Sequence, residues 1–331
     1  KNKSRMARLT RRTDSSRLPV VHVVDLRKEK NNGKDAFQVS SPLQAAIHAR
    51  LEKGEQTILF LNRRGFSTSL QCPQCGFVAE CPACSVPLTF HLADHELRCH
   101  LCDHLDDVPG ECPECHFRNF KFGGMGTQKI EDTVARLFPS ARWQRMDSDS
   151  MRGKDNYEKA LDAFRAGDLD ILIGTQMITK GLDFPNVTCV GIINVDGALQ
   201  MPDFRAAERV LSQLVQVSGR AGRGTREGEV FLQTFTPFHP TIQFARHHDV
   251  SGFIDHELEF RSAQNFPPFW RCAVVGIRGR EESKTAFCAE QVAKKLEPLS
   301  GPDTRITAAA PAPIEKMRNQ HRFPVVCLTR K

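Results

Sequence analysis

The chain contains 331 residues, of which 40% are hydrophobic and 26% are charged, and its formal net charge is +7. This length and composition predict two or three domains of an ordinary soluble protein. No apolar run approaches the ~18 residues of a membrane span, and no apolar leader opens the chain, so a membrane or secreted protein is not expected. The sequence therefore predicts a protein of the reducing cytoplasm.

The first twelve residues contain six basic side chains and no acidic one. A basic tail of this kind is typical either of phosphate contact or of a solvated end. Because the sequence begins with Lys1 rather than Met, we expect the chain to be part of a longer protein.

Strand and helix signals alternate from residue 20 onward. Residues 20–24 form a β-branched run typical of a strand, and residues 57–61 form an apolar run typical of a buried parallel strand. Between them, Ser41 is a candidate N-cap with Pro42 at the first helical position, and Gly54 is expected to end the helix. Open α/β sheets place their ligand sites at the carboxyl ends of the strands. Residues 62–66 leave the predicted strand 57–61 at that end, so they are candidates for such a site.

The same alternation resumes after residue 119. Helices are predicted at residues 127–138, 157–164 and 203–217, and strands at residues 142–146, 169–173, 187–195 and 229–235. This order predicts an α/β fold with one parallel sheet and helices on both faces. Beyond a break at residues 266–269, a strand, a helix and two strands predict part of a split βαβ sandwich.

Eight of the twelve cysteines form four Cys-x-x-Cys pairs. Two thiolates three residues apart in a tight turn can bind one metal ion, and a structural zinc takes four thiolates in a tetrahedron. The segment therefore predicts two zinc sites. The pairs are Cys72/Cys75, Cys81/Cys84, Cys99/Cys102 and Cys112/Cys115. A disulfide framework is the alternative, and the reducing compartment and the length of the chain disfavour it.

The four pairs can combine sequentially, in an interleaved way or in a nested way. Nested pairing is preferred because it brings the two ends of the segment together, as an insertion into another domain requires. It gives zinc 1 with Cys72, Cys75, Cys112 and Cys115, and zinc 2 with Cys81, Cys84, Cys99 and Cys102.

The cysteine-rich segment is acidic. Residues 71–118 hold eight acidic side chains against two arginines, a balance of −6. Each zinc site, with four thiolates and one Zn²⁺, adds a net charge of about −2. The segment is therefore expected to bind protein or act mechanically rather than to contact phosphates.

Residues 216–223, Gln-Val-Ser-Gly-Arg-Ala-Gly-Arg, contain a candidate phosphate-binding pair. Arg220 and Arg223 are three residues apart, so on a helix both guanidinium groups would face the same way. Such a pair can hold a polyphosphate or neutralise charge that develops on a transferred phosphoryl group. Taken alone, the pair is better explained as two solvated surface arginines.

Residues 58–66, 174–185 and 216–223 resemble helicase motifs IV, V and VI, in that order. The set resembles the second motor lobe of superfamily 2 helicases, and more closely the PriA family of primosomal replication-restart helicases. Four Cys-x-x-Cys pairs inserted after motif IV are a hallmark of that family. Residues 126–131, 201–209 and 266–269 also resemble stretches of it, so the resemblance covers nearly the whole chain.

The resemblance implies a RecA-like second helicase lobe with an inserted two-zinc module and a partial α/β C-terminal domain. Residues 20–70 and 119–236 would form the lobe, and residues 71–118 the module. Residues 237–331 would form a connector and a truncated DNA-binding domain, and residues 1–19 the linker from the first lobe.

The implied function is that of an ATP-dependent 3′-to-5′ DNA helicase that recognises stalled replication forks and initiates primosome assembly. Its implied partners are forked DNA, single-stranded DNA-binding protein and other primosome proteins, in the cytoplasm at the nucleoid. The resemblance implies that Arg223 is the arginine finger, that Arg220 senses the γ-phosphate and that Gln216 supports both. Gly181 and Asp183 would couple the nucleotide state to DNA contact. Thr175 and Gln176 would contact the tracked strand, and Arg64 is a weaker candidate. A turn hydroxyl at Thr175 and a turn former at Asp183 are the alternatives.

Two expected motor parts are absent from these 331 residues. The sequence contains no Gly-x-x-x-x-Gly-Lys-[Ser/Thr] loop and no Asp-Glu-x-His segment. ATP and Mg²⁺ are therefore expected to be bound mainly by a first lobe, and the chain alone is expected to hydrolyse no ATP. The rival functions are a RecG-type branch-migration motor lobe and a zinc-dependent, non-catalytic adaptor.

Overall fold

The computed structural model describes residues 18–29, 38–61, 70–72, 74–82, 87–91, 96–99, 104–118, 127–146, 154–175, 178, 184–193, 195–201, 203–222, 226–312, 315–317 and 319–330. The strands are β1 (Val20–Asp25), β2 (Gln56–Leu61), β3 (Thr89–His91), β4 (Glu96–Arg98), β5 (Leu105–Asp107), β6 (Trp143–Met146), β7 (Ile171–Gly174), β8 (Val187–Ile193), β9 (Glu229–Thr234), β10 (Trp270–Gly279), β11 (Thr304–Ile306), β12 (Lys316–Met317) and β13 (Gln320–Arg330). The helices are α1 (Ser41–Glu52), α2 (Thr127–Leu137), α3 (Lys154–Ala166), α4 (Asp196–Leu199), α5 (Ala206–Ser218), α6 (Pro240–Arg246), α7 (Val250–Ala263) and α8 (Glu282–Leu296), with 3₁₀ turns at Leu26–Glu29 and Glu297–Leu299.

Six parallel strands form the central sheet in the order β1-β9-β8-β2-β7-β6. Side chains of a strand alternate between the two faces, and β2 shows this directly. Ile58 and Phe60 belong to the core that includes α3 and α5, whereas Leu59 and Leu61 belong to the core that includes α1 and α2. The predicted parallel sheet with helices on both faces is confirmed, and we call this unit the α/β domain.

Two local predictions about helix starts are wrong. The N-cap of α1 is Ser40 rather than Ser41, because Ser40 has the extended backbone and its carbonyl accepts the first helical hydrogen bond from Gln44. Helix α5 begins at Ala206 rather than at residue 203. Asp203 instead lies in the preceding turn, where it accepts hydrogen bonds from the backbone of Arg205 and the guanidinium of Arg209.

Helices α6 and α7 were not predicted from the sequence, and they extend the α/β domain past residue 236. Ile242, Ala245 and Phe253 lie in the same core as the strands of the sheet. The packing of this domain therefore continues beyond the predicted boundary.

The cysteine module, residues 70–118, contains the antiparallel sheet β3-β4-β5. Its core includes Leu70, Leu88, Phe90 and Leu97. Among the described residues of the module this core is small, so the apolar burial that the structure describes here supplies little stability.

The C-terminal sheet has the order β10-β13-β11, with β12 paired to β13, and α8 packs on it. This is the predicted strand, helix and two strands, with a short β12–β13 hairpin added. Among the described residues, the helices are too short or too polar to cross a membrane.

Candidate functional site

Four cysteine sulfurs meet at the base of the cysteine module. The Sγ atoms of Cys72, Cys75, Cys112 and Cys115 all lie within 4.8 Å of one another. Cys72 Sγ is 3.6 Å from Cys115 Sγ, and Cys75 Sγ is 3.5 Å from Cys112 Sγ. The structure thus brings together the first and last of the four pairs.

This arrangement fits a tetrahedral zinc ion. With Zn–S bonds of ~2.3 Å, a tetrahedron places its sulfurs ~3.8 Å apart. Burial raises the pKa of Cys75 to about 12, so that this thiol is protonated at neutral pH when no metal is bound. Burial also acts on Cys112, but the backbone N–H groups of Cys115 and Glu114 outweigh it and lower the pKa of Cys112. Zinc would bind here as protons leave the sulfurs, so its affinity rises with pH.

The two turns that carry these pairs have the same backbone. The N–H of Cys72 donates to the carbonyl of Phe77, and the N–H of Cys112 donates to the carbonyl of Phe117. A residue with positive φ follows each second cysteine: Gly76 at 86° and His116 at 57°. The N–H of Phe77 also donates to Cys75 Sγ at 3.5 Å, an arrangement that stabilises a thiolate.

The inner pairs are described only in part. Cys81 and Cys99 are buried in the module core, whereas Cys84 and Cys102 lie outside the described residues. The N–H of Cys99 donates to the carbonyl of His104, which repeats the spacing found in the two turns of the outer pairs.

The cysteine module is attached to the carboxyl edge of the central sheet. Arg27, just beyond β1, donates from Nη1 to the carbonyl of Cys75 at 2.8 Å. The same guanidinium forms a two-pronged ion pair with Asp25. Gly76 packs against the carbonyl of Phe235, just beyond β9. We call Arg27, Cys75, Gly76 and Phe235 the junction.

A buried carboxylate holds the β9 side of this junction. Asp196 is 2% exposed and accepts hydrogen bonds from Thr234 Oγ1 at 2.7 Å, Thr236 Oγ1 at 2.8 Å and the N–H of Phe235 at 3.1 Å. A carboxylate with several donors specifies the local backbone closely. Sequence reasoning missed Arg27 and Asp196, because the contacts that give them a role join segments far apart in the chain.

Replacing Gly76 by alanine is expected to destabilise the junction. The added Cβ would clash with the carbonyl oxygen of Phe235, because it would lie much closer than van der Waals contact allows. The φ of 86° is also costly for any residue with a Cβ. We expect the free energy of unfolding to fall by about 1–3 kcal/mol, measured by chemical denaturation of the zinc-loaded chain. Gly110→Ala is the matched control, since its Cβ would meet no atom within 4 Å. Equal stability of the two variants would show that the junction is not tightly packed.

The predicted motor residues are distributed over two edges of the sheet. Thr175 is buried and follows β7 at the carboxyl edge. Gly222 lies at the amino edge, where its N–H donates to the carbonyl of Val187, the first residue of β8. The stretch 216–223 therefore contacts the start of β8, two residues past the stretch 174–185, while Thr175 lies at the opposite edge. Arg64, Gln176, Gly181, Asp183 and Arg223 lie outside the described residues.

Arg220 does not lie on a helix, in contrast to the prediction that paired it with Arg223 on one helical face. Helix α5 ends at Ser218, and the N–H groups of Arg220 and Ala221 donate to Val217 and Ser218 in a tighter turn. Gln216 is on the helix and exposed. Gly222, at a φ of 67°, continues this turn and packs against the backbone of Gly228. The chain is thereby held closely just before Arg223.

Two other stretches singled out in the sequence contact each other. The ring of Phe204 stacks on Phe266 with centroids 5.0 Å apart and planes 14° apart. The guanidinium of Arg261 lies 5.1 Å from the Phe204 centroid and pairs with Glu208 at 2.6 Å and Glu257 at 2.8 Å. Residues 201–209 and 266–269 thus join the α/β domain to the segment that leads into the C-terminal sheet.

Family models match both parts of this arrangement. The model described as helicase conserved C-terminal domain matches residues 127–225. The model described as PriA DNA helicase Cys-rich region domain matches residues 81–105, which include the four inner cysteines. The fold and the cysteine centre thus define a helicase C-terminal domain that carries a zinc-binding, cysteine-rich region.

The relatives narrow this class. The replication restart protein PriA of Bacillus subtilis is 42% identical over 318 residues, which are 96% of this chain and 39% of that protein. Its counterpart in Haemophilus influenzae is 37% identical over 96% of this chain and 43% of its own length. The chain belongs to the PriA family and spans less than half the length of these two relatives.

The solved structures that match the chain are more distant. RecG bound to a three-way DNA junction is 14% identical, with a TM-score of 0.40 over 77% of this chain and 23% of that one. The C-terminal domain of the DEAD-box protein Dbp5 is 12% identical, with a TM-score of 0.36 over 74% of this chain and 98% of that one. With TM-scores below 0.5, neither likeness supports a further inference.

Proposed function

We propose that this chain supplies the second motor lobe and the zinc module of an ATP-dependent 3′-to-5′ DNA helicase that acts in replication restart. The observation that supports this most strongly is the 42% identity to a replication restart protein across 96% of the chain. We further propose that the complete protein recognises stalled forks and initiates primosome assembly with single-stranded DNA-binding protein and other primosome proteins. This role belongs in the cytoplasm, at the nucleoid.

In this proposal the chain completes an ATP site rather than forming one. ATP would supply the phosphoryl group, and Mg²⁺ the positive charge that orients it. Both would be bound mainly by residues outside this sequence. Arg223 would stabilise the transition-state charge, and Arg220 would contact the γ-phosphate from the turn after α5. Gln216 would support them. Contact with DNA would come from Thr175, Gln176 and, more weakly, Arg64. Coupling of that contact to the nucleotide state would come from Gly181 and Asp183.

We also propose two zinc ions per chain. Cys72, Cys75, Cys112 and Cys115 would hold the first, supported by their mutual distances. Cys81, Cys84, Cys99 and Cys102 would hold the second, supported by the burial of Cys81 and Cys99 and by the hydrogen bond from the N–H of Cys99 to the carbonyl of His104. Both ions would be structural, since four thiolates leave zinc no open position.

The test is the activity of the complete protein on forked DNA. We expect ATP hydrolysis that depends on DNA and displacement of a strand with 3′-to-5′ polarity, whereas the 331-residue chain alone hydrolyses no ATP. Strand displacement of the opposite polarity, or ATP hydrolysis indifferent to DNA, would refute the proposal. A protein that migrates branches without displacing a strand would support the RecG-type alternative, which the match to the PriA Cys-rich region disfavours.

Binding of the 331-residue chain to DNA is expected to weaken steeply as salt rises. Residues 1–12 carry six basic side chains, and further basic residues lie at Lys316 and Arg322 beside the β12–β13 turn. Phosphate contacts release counterions, so the logarithm of the affinity should fall linearly with the logarithm of salt concentration. Fluorescence anisotropy with a labelled fork measures this slope. An affinity independent of salt would exclude these contacts.

A second candidate function is that of a zinc-dependent adaptor. The observation in its favour is the acidic character of residues 71–118, which suits contact with a protein. Variants of the motor arginines that leave partner loading intact would support the adaptor function. The two functions can reside in one protein.

A further inference from the structure

A groove separates the cysteine module from the corner after β9. It encloses about 760 Å³ and is lined by residues of both units. This volume lies within the ~300–1,000 Å³ of ligand-binding pockets. The groove adjoins the turn of Cys75 and Gly76, so its shape depends on the junction and on the first cysteine centre.

The corner presents an aromatic ring to the groove in a rigid setting. Phe238 is 79% exposed, and it lies in a turn closed by the hydrogen bond from the N–H of His239 to the carbonyl of Thr236. Asp196 holds that turn through Thr236 Oγ1, and the guanidinium of Arg27 lies 5.8 Å from the centre of the Phe238 ring. Phe77 and Pro237 add apolar surface beside it. A preorganised, exposed aromatic side chain of this kind is typical of a binding surface.

The rim of the groove is negative. It carries the exposed carboxylates of Glu80, Asp106, Asp107 and Glu114. Arg27 also lines the groove, but its charge is balanced by the paired Asp25. Burial lowers the pKa of His239, so this side chain adds no positive charge at neutral pH. The groove therefore repels phosphates, although the chain as a whole has a net charge of +7.

A strand edge borders the same groove. Within the part of the module that the structure describes, β5 pairs with β4 and with no other strand, and all three of its residues are exposed. Two of them, Asp106 and Asp107, line the groove. An exposed edge of this kind can accept an extended peptide through its backbone.

We propose that this groove is the docking site for an extended, basic segment of a partner protein. An apolar side chain of the segment would pack against Phe238, and its arginine or lysine side chains would pair with Asp106 and Asp107. The negative rim selects basic peptides and excludes DNA, so this surface is distinct from any DNA-binding surface of the chain. The site goes beyond the proposed helicase function and does not require it.

The test uses the zinc-loaded chain and two labelled peptides of equal length, one alternating arginine with leucine and one alternating glutamate with leucine. Anisotropy should show binding of the arginine peptide and none of the glutamate peptide. Combining Asp106→Lys with Asp107→Lys should weaken binding about tenfold or more, since two attractions become repulsions. Phe238→Ala, which changes no charge, should weaken it about fivefold or more because it removes the exposed ring.

Glu52→Lys with Asp162→Lys is the matched control, because it makes the same change in net charge at two exposed positions, one on α1 and one on α3. This control should change the affinity less than about twofold. Zinc content and the unfolding midpoint of every variant show that the module remains folded. Equal effects of the two charge reversals, no effect of Phe238→Ala, or binding of both peptides would overturn the proposal. DNA-stimulated ATP hydrolysis of the complete protein should be unchanged in the Phe238→Ala variant.

Discussion

Replacing Arg223 by alanine in the complete protein is expected to lower DNA-stimulated ATP hydrolysis by about 10³-fold or more. An arginine finger neutralises charge that develops on the phosphoryl group only in the transition state, and such residues contribute ~10³–10⁵ in rate. ATP binding should change far less, so kcat falls while the Kd for ATP stays nearly constant. Steady-state hydrolysis measures kcat, and equilibrium nucleotide binding measures the Kd for ATP.

Arg226→Ala is the control for this experiment. Arg226 follows three residues later in the sequence, is exposed, and its guanidinium bonds to Glu55 and Asn186. Its loss should leave the rate within about twofold. If Arg223→Ala and Arg226→Ala behave alike, Arg223 is not the arginine finger. If Arg223→Ala abolishes ATP binding instead, the residue anchors the nucleotide rather than the transition state.

Replacing Cys112 by serine is expected to remove one zinc ion per chain and to unfold the base of the cysteine module. Cys112 is fully buried, and its sulfur lies 3.5 Å from that of Cys75. Structural zinc sites contribute ~10–16 kcal/mol of apparent binding free energy at neutral pH, which the apolar core formed by the described residues of the module does not replace. Atomic absorption measures the zinc content, and hydrogen exchange at residues 70–80 and 104–118 measures the loss of structure.

Cys288→Ser is the control, because Cys288 is exposed on α8 and belongs to another domain. Its zinc content and exchange rates should equal those of the unmodified chain. Acidification should act like Cys112→Ser, because protons compete with zinc for the sulfurs. Zinc content that survives Cys112→Ser in full, or rapid exchange of the module before substitution, would show that these four cysteines do not hold a structural metal.

Local patterns predicted the elements of the α/β domain well, for a physical reason that individual residues illustrate. The run 57–61 is apolar from Ile58 onward because β2 is buried on both faces between two helical layers. Gly54 and Gly167 end their helices with φ values of 64° and 83°, which other residues adopt only at a cost. Helix starts were less predictable. Ser40 and Ser41 are chemically identical candidates for the cap, and contacts distant in the chain distinguish them: the N–H of Ser40 donates to Gln233, whereas Ser41 donates to Glu29.

The arginine pair illustrates the opposite case. A spacing of three residues places two side chains on one face only if the helix continues, and here α5 ends at Ser218. The end of α5 is followed by Gly222, whose backbone bonds to Val187 at the start of β8. That contact joins the turn after α5 to the start of β8, which are distant in the chain, so no local pattern in residues 216–223 reveals it.

The sequence by itself determined which residues have the chemistry of a metal centre and of a motor lobe, because ligand type, cysteine spacing and motif order are written in consecutive residues. Only the tertiary structure decided which cysteines meet, since the sulfurs of Cys72 and Cys75 come within reach of Cys112 and Cys115 through the folding of the intervening module. It also decided that Arg27, Gly76 and Asp196 join this module to the sheet, and that Phe238 faces an acidic groove. These are contacts between residues distant in the chain, and their energies depend on distance and burial, which spacing along a sequence does not encode.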